Sequence, residues 1–260
     1  LLSRGLGDVY KRQLGYKSTA LVHLTLIPYM AASGELKTKP TQHSVKALLE
    51  NGLQPDILVL RTEHPLSVNL RRKVALFCNV DANAVMESID VPTIYEVPQK
   101  MHDQHLDEVV LQKLDLPADK EPDMTAWNAL VDKIKHPSKK IEIALVGKYV
   151  AVHDAYLSVH EALVHAGIAN LAAVYVDYIS SDELTEANAA ERLGSYHGII
   201  LPGGFGHRGA EGMMAAANFA RTKGIPCLMI GYGMQLGVVE AVRSLLSLPD
   251  ANSTEVNRLA

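Results

Sequence analysis

The segment Leu228-Met229-Ile230-Gly231-Tyr232-Gly233-Met234-Gln235 ends an apolar run and opens a helical pattern through one glycine turn. A strand that passes so abruptly into a helix fits an α/β sheet, and at this turn α/β enzymes of acyl transfer place their nucleophile. Here the position is held by Gly231, which has no side chain. The surrounding pattern agrees with such a sheet. Apolar strands at 141–146, 172–179, 198–201 and 226–230 alternate with helical patterns at 155–166, 183–193 and 209–223. This predicts a parallel, doubly wound sheet with helices on both faces, whose ligands sit at the carboxyl ends of the strands.

The first half of the chain carries a second α/β pattern. Residues 21–27 (LVHLTLI) precede Pro28, residues 57–60 (ILVL) form another apolar run, and 41–51 has helical spacing through Val45, Leu48 and Leu49. Together they read as a β–α–β unit. Leu66, Leu70, Val74 and Phe77 recur at spacings of three and four, predicting an amphipathic helix over 66–78 with Arg71, Arg72 and Lys73 in its middle. After Pro98 the pattern is helical as far as Leu114. Pro117, Pro122 and Pro137 mark 116–140 as a linker holding one short helix at 127–134. The expected organisation is therefore one domain over 14–115 and a second over 141–260. Residues 1–13 (LLSRGLGDVYKRQ) have neither periodicity nor the apolar core of a signal peptide, and read as adapter-derived sequence outside the fold. Lys17-Ser18 does not complete a Walker A loop, because Tyr16 and Lys11 stand where that motif needs glycine.

Composition narrows the function classes. With 260 residues, 48% of them hydrophobic and 21% charged, the chain can build one or two ordinary cores. Lys and Arg total 25 against 29 Asp and Glu, for a net charge of −4, and no block of one sign suggests a nucleic-acid or membrane surface. Cys78 and Cys227 make neither a metal spacing nor a disulfide framework, and no apolar run approaches the ~20 residues that cross a bilayer. These features predict a cytoplasmic protein.

Two polar segments carry candidate chemistry. Leu201-Pro202-Gly203-Gly204-Phe205-Gly206-His207-Arg208-Gly209 follows a buried strand, and its consecutive glycines let backbone N–H groups approach a ligand. Two such groups aimed at one point make an oxyanion hole; the bland alternative is a tight strand-to-helix turn. Ser33-Gly34-Glu35-Leu36-Lys37-Thr38-Lys39-Pro40-Thr41-Gln42-His43-Ser44 puts two lysines and a proline at a helix start, which suits a triphosphate as well as a solvated polar loop.

In wording the chain resembles one family, the glutamine-hydrolysing CTP synthases, from about Leu21 to Glu255. The landmarks are His23-Leu24-Thr25-Leu26-Ile27-Pro28-Tyr29, the 33–44 segment, Gln54-Pro55-Asp56-Ile57, Ala75-Leu76-Phe77-Cys78-Asn79-Val80, Thr93-Ile94-Tyr95-Glu96-Val97-Pro98, Val146-Gly147-Lys148-Tyr149, Asp154-Ala155-Tyr156, the 203–209 loop and Ala251-Asn252-Ser253-Thr254-Glu255. The elbow is similar to that of class I glutamine amidotransferases, which carry cysteine at the place of Gly231. The resemblance implies the C-terminal part of a P-loop-like synthase domain followed by an incomplete doubly wound glutaminase domain. It further implies ATP- and magnesium-dependent amination of UTP to CTP with glutamine as nitrogen donor, GTP as allosteric activator, and a homotetramer.

By position the resemblance assigns Lys37, Lys39, Gln42 and Lys73 to UTP or feedback CTP, the first three across a subunit interface. It assigns Arg61 and Asp90 to the ATP base, Gly204 and the Tyr232 N–H to the oxyanion hole, and Gly204, Gln235 and Glu255 to glutamine. The family's ATP loop and magnesium carboxylates match nothing in this chain, nor do the histidine and glutamate that activate its cysteine. The expectation is a partial synthase that completes neither half-reaction and holds no metal site. Leu157 and Met229 depart from the family wording, and His153, His160, His165, His197 and His207 read as surface or packing residues. Two alternatives stand beside this reading: a non-catalytic nucleotide-binding or assembly homologue, and another class I amidotransferase.

Overall fold

The computed structural model describes residues 5–257. The chain divides into two compact units, Leu1–Val131 and Asp132–Ala260.

The first unit runs α1 (Gly5–Leu14), β1 (Val22–Ile27), β2 (Tyr29–Met30), β3 (Glu35–Leu36), α2 (Lys39–Glu50), β4 (Ile57–Thr62), α3 (Val68–Cys78), β5 (Val85–Ile89), α4 (Val97–His102) and α5 (Leu106–Lys113), and the boundary falls within α6 (Thr125–Lys135). Its parallel sheet has the order β1-β4-β5, with Val22 opposite Ile57 and Leu58 opposite Val85. Ile57, Leu58, Val59 and Leu60 are all buried, the unbroken apolar run of a strand covered on both faces. Leu58 and Leu60 join Ile27, Val45 of α2 and Val74 and Cys78 of α3 on one side, while Ile57 and Val59 join Met86 and Val109 of α5 on the other. Between β1 and α2, the short hairpin of β2 and β3 brings the 33–44 segment to the carboxyl end of β1.

Three sequence expectations differ from this. Residues 1–4 of the segment set aside as adapter-derived lie outside the described residues, but from Gly5 it is helical, and Lys11, only 4% exposed, bonds Asp56 at 2.5 Å. The continuous helix expected after Pro98 is two helices, because His105 adopts a left-handed φ of 62° between α4 and α5. Strand β5 was not among the expected elements; its Met86 and Val85 are buried on opposite faces of the sheet.

The second unit is the more regular of the two. It runs β6 (Lys139–Gly147), α7 (Leu157–Ala169), β7 (Ala172–Ser180), α8 (Ala189–Leu193), β8 (Gly198–Leu201), α9 (Ala210–Lys223), β9 (Cys227–Met229) and α10 (Tyr232–Leu245). All strand pairs are parallel, in the order β7-β6-β8-β9. Ala144, Val146, Ile199 and Leu201 face Met213, Ala216 and Ala217 of α9 and Leu236 of α10, while Leu145 and Ile200 face Tyr156 and Val159 and Leu163 of α7. Helices thus cover both faces. The chain leaves β6 toward one side for β7 and returns to the other side for β8, so the crevice between the carboxyl ends of β6 and β8 is a topological switch point. Helix α8 is shorter than the 183–193 pattern predicts. Asn188 Oδ1 accepts from the Thr185 N–H at 2.8 Å, a local turn that competes with helix.

Candidate amidotransferase elbow and nucleotide junction

Gly231 joins β9 to α10 with φ 52° and ψ −104°, a combination that only glycine adopts without strain. The turn is fixed on both sides: the Ile230 N–H donates to Leu201 O at 2.8 Å, the Gly233 N–H to Ile230 O at 2.9 Å, and the Gln235 N–H to Gly231 O at 3.1 Å. Helix α10 lies so close to β8 that a Cβ at Gly233 would stand 2.2 Å from Leu201 O. Met229 stands where the family wording has an elbow glycine, and Gly237 accommodates it: a Cβ at 237 would be 2.1 Å from the Met229 sulfur. A Cβ at Gly231, by contrast, meets nothing within 4 Å.

The 203–209 loop closes over this turn. Gly206 takes a φ of 72°. Its N–H donates to Glu255 Oε1 at 3.1 Å, and its carbonyl accepts from the Tyr232 hydroxyl. A Cβ at Gly204 would approach the Tyr232 ring to 3.3 Å, so the loop backbone passes directly beside the first residue of α10. Gln235 Oε1 accepts from Ser253 Oγ at 2.9 Å, and Ser253 Oγ accepts in turn from the Glu255 N–H at 3.2 Å. Gly204, Gly231, Tyr232, Gln235 and Glu255 therefore form one contiguous group. Cys227 is no replacement for an elbow thiol, since burial pushes its pKa up to about 11 and leaves it protonated at neutral pH. His160 accepts or donates at Tyr178 and His197 accepts from the Glu142 N–H, which are packing roles; the side chain of His153 lies outside those described.

The first unit gathers its candidates less completely. Lys37, Lys39 and Gln42 share the start of α2, where Gln42 Nε2 donates to Thr38 Oγ1 at 3.2 Å. Lys37 is turned onto Glu35 at 2.6 Å, and Lys39 is exposed. Below them Thr41 is fully buried, donating to Leu26 O and meeting Thr25 Oγ1, which ties the helix start to the end of β1. Lys73 is exposed on α3, and among the described residues no contact joins it to that junction. Arg61 pairs with Asp90, and Asp90 lines a cavity of about 310 Å³ with Glu87, Ile89, Val91, Lys100, Asp103 and Gln104. The cleft is mostly apolar, with the carboxylates of Glu87, Asp90 and Asp103 and the Lys100 ammonium among its lining groups. Among the described residues, no three His, Cys, Asp or Glu side chains converge so as to hold a metal ion.

Residues 8–116 match the family model "CTP synthase N-terminus" and residues 151–258 match "Glutamine amidotransferase class-I". A CTP synthase of Cytophaga hutchinsonii is 52% identical over 249 residues, 96% of this chain and 46% of that protein. One of Levilactobacillus brevis is 51% identical over 95% of this chain and 46% of its own length. The chain belongs to the CTP synthase family. It spans a little under half the length of these relatives. A solved chain described as "Trypanosoma brucei CTPS - glutaminase domain with bound acivicin" is 39% identical and covers 45% of this chain and 46% of that one, at a TM-score of 0.43, too low for the superposition to carry weight.

Within this CTP synthase framework, sequence reasoning missed the side chains that brace the elbow. Lys148, 6% exposed at the end of β6, donates to Phe205 O at 2.6 Å and Gly206 O at 3.1 Å, and its ammonium lies 4.3 Å from the centre of the Tyr232 ring. Burial and the nearby Arg208 guanidinium lower its pKa, opposed by Asp182 and Glu255. Arg208 donates to Lys148 O at 2.9 Å and pairs with Asp182. The available signal was position: a lysine directly after the first strand of a doubly wound sheet stands at the switch point.

Proposed function

We propose that the second unit of this chain binds glutamine through its side-chain amide and that the first contributes part of a nucleotide site, within the ATP-dependent amination of UTP to CTP. The observation that carries this is the elbow: Gly231 at φ 52° and ψ −104° beside the glycine loop, with Gln235 and Glu255 linked through Ser253. In this reading the Gly204 and Tyr232 N–H groups receive the amide oxygen, and Gln235 and Glu255 hold the amino-acid end. A thiolate at 231 would attack the amide carbon and release ammonia; glycine cannot, so the chain binds glutamine without hydrolysing it.

Lys37, Lys39 and Gln42 contribute to the triphosphate of UTP or CTP across a subunit interface of a homotetramer, Lys73 adds a further nucleotide contact, and Arg61 and Asp90 hold the ATP base. Bound magnesium would neutralise phosphate charge at this site. GTP activation, cytoplasmic residence and the division into a synthase part, a linker and a glutaminase part belong to the same proposal. Gly231 also favours a second reading, a binding or assembly homologue without chemistry.

Calorimetric titration with L-glutamine, alongside an assay for glutamate release, tests the glutaminase half. Binding without release is the expected result. Release of glutamate by the purified chain would remove the claim that 231 is the nucleophile position. Titration with UTP separates the two readings of the first unit from a unit that binds no nucleotide at all.

A further inference from the structure

Lys148 is a buried cation directly after β6, at the switch point of the second sheet. A buried ammonium is costly unless its protons are bonded. Here two protons go to successive carbonyls, Phe205 O and Gly206 O, and the charge sits 4.3 Å from the Tyr232 ring. Those carbonyls belong to the loop whose Gly206 N–H meets Glu255 and whose Gly206 O also takes the Tyr232 hydroxyl. Through its own carbonyl Lys148 is held by Arg208, which Asp182 holds in turn. One side chain at the end of β6 thus ties together the loop after β8, the first turn of α10 and, through Gly206, the segment carrying Glu255.

The geometry has a direction. In a glycine-rich turn each peptide can rotate so that either its N–H or its carbonyl points at the ligand, and glycine offers little steric resistance to that rotation. An ammonium bonded to two consecutive carbonyls removes the choice, since it draws both oxygens to the β6 side. At Gly204 a Cβ would lie 3.4 Å from Lys148 Cε and 3.3 Å from the Tyr232 ring, so the loop backbone packs directly between the Lys148 stem and the start of α10.

We propose that Lys148 is a positioning residue of the amide site: by holding the Phe205 and Gly206 carbonyls it fixes which face of the 203–209 loop is offered to the ligand above Gly231. This rests on the reading of the elbow as a glutamine-amide site, but the loop-fixing part stands on its own and is tested separately. Charge-assisted hydrogen bonds of this kind are about twice as strong as neutral ones, and each tenfold in affinity corresponds to about 1.4 kcal/mol.

The experiment uses the full chain labelled with 15N-glycine and 15N-lysine, as parent, Lys148→Met and Lys148→Arg. In the absence of ligand, Lys148→Met should accelerate hydrogen exchange of the Gly206 amide, which is bonded to Glu255, at least about tenfold while leaving those of Gly167, Gly194 and Gly224 unchanged, and Lys148→Arg should restore most of the protection. In the parent itself the Lys148 ammonium resonance should be visible and slow to exchange. Titrated with L-glutamine, Lys148→Met should bind about tenfold more weakly than the parent at an unchanged melting temperature, with Lys148→Arg intermediate. Parent protein that binds no glutamine would overturn the amide-site reading while the exchange data still decide the tether. Unchanged Gly206 exchange in Lys148→Met, or a fast-exchanging Lys148 ammonium in the parent if the methionine variant does not fold, would overturn the proposal.

Discussion

The elbow of the second unit and the nucleotide junction of the first are built from different materials. At the elbow the candidate groups are mostly backbone, carried by strand ends and the first turn of a helix, and they are already in contact through Gly206, Tyr232, Ser253 and Glu255. At the junction they are long side chains on the surface: Lys37 is 45% exposed against Glu35 at 64%, and Arg61 is 46% exposed against Asp90 at 57%. A site made of backbone is set when the sheet folds and loses little entropy on binding. One made of lysine and arginine side chains is completed by its ligand, which must order them. If so, substitutions at the elbow should act on stability and geometry, whereas those at the junction should act on affinity alone and fade with salt.

The largest effect should come from Gly233→Ala. A Cβ there would stand 2.2 Å from Leu201 O, and because the obstructing atom is backbone, α10 must move off β8. We expect the second unit to lose roughly 3 kcal/mol or more and to melt ~10 °C or more earlier, with the transition of the first unit unchanged. A single unshifted melting profile would mean that α10 is free to slide, and the contrast between a rigid and an adaptable site would fail.

Gly231→Cys comes next. A Cβ at 231 meets nothing within 4 Å, so the cost is backbone strain of about 1–3 kcal/mol from φ 52° and ψ −104°. The introduced thiol lies at the start of a 14-residue helix, whose dipole favours thiolate, whereas Cys227 is pushed up to about 11 by burial. Iodoacetamide at pH 7 should therefore label position 231 at least ~100-fold faster than Cys227, read by mass spectrometry of the peptides. Equal labelling would show that the elbow supplies no activation to a nucleophile placed in it.

How legible these regions were differs for the same reason. The alternation of apolar runs in the second unit gave its four strands and their parallel sense, and β8, all four residues buried, left no ambiguity of period. The glycines of the elbow could be read because backbone sites need particular residues at particular φ values. What could not be read was the tethering. Lys148 has the composition of a surface residue, and only the strand order, which brings β6 beside β8, turns it inward. In the first unit β5 was missed because Val85-Met86-Glu87-Ser88-Ile89 is buried at its start and partly exposed beyond, without alternation. Helix α1 was missed because its amphipathic pattern is short and the contact that docks it, Lys11 to Asp56, spans 45 residues of sequence. Lys73 matched the family by wording, yet its partner surface is not within this chain's described contacts.

A third test asks how firmly the rear of the elbow helix is held. Glu240, 5% exposed on α10, accepts from Arg221 and Asn218 of α9 at 2.7 Å each and from Ser244 at 2.8 Å. Burial alone would raise its pKa, but the Arg221, Ser244 and Asn218 hydrogen bonds outweigh it and the net shift is downward. A carboxyl with a depressed folded pKa stabilises fully above its unfolded value, about 4.3, and loses that contribution as pH falls through the folded value. Glu240→Gln should thus cost roughly 1–3 kcal/mol at pH 7, less than a fully enclosed pair because Arg221 is one-third exposed. The gap between parent and variant should narrow below about pH 4.3 in urea titrations. A gap independent of pH would assign the effect to packing instead of charge.

The smallest effects belong to the junction. Lys39 is exposed, and among the described residues no hydrogen bond or ion pair holds it, so Lys39→Ala should leave the melting temperature where it is while weakening UTP binding about tenfold through loss of a charge-assisted phosphate contact. Lys37 differs, because Glu35 already engages it at 2.6 Å. The Lys37 hydrogen bond and then its charge hold the Glu35 pKa below the ordinary value, so at neutral pH this carboxylate competes with a triphosphate for the lysine and repels the triphosphate itself. Glu35→Gln should accordingly tighten UTP binding, by no more than about two- to fivefold, since an exposed pair is a weak competitor. Both changes should shrink as salt is raised from 50 mM to several hundred millimolar, because exposed charges are screened over about 10 Å or less at such ionic strengths. The elbow variants should show no such salt dependence. Equal UTP affinity in the parent, Lys39→Ala and Glu35→Gln would move the phosphate contact off the start of α2, and the difference between a preformed and a ligand-completed site would have to be sought elsewhere in the first unit.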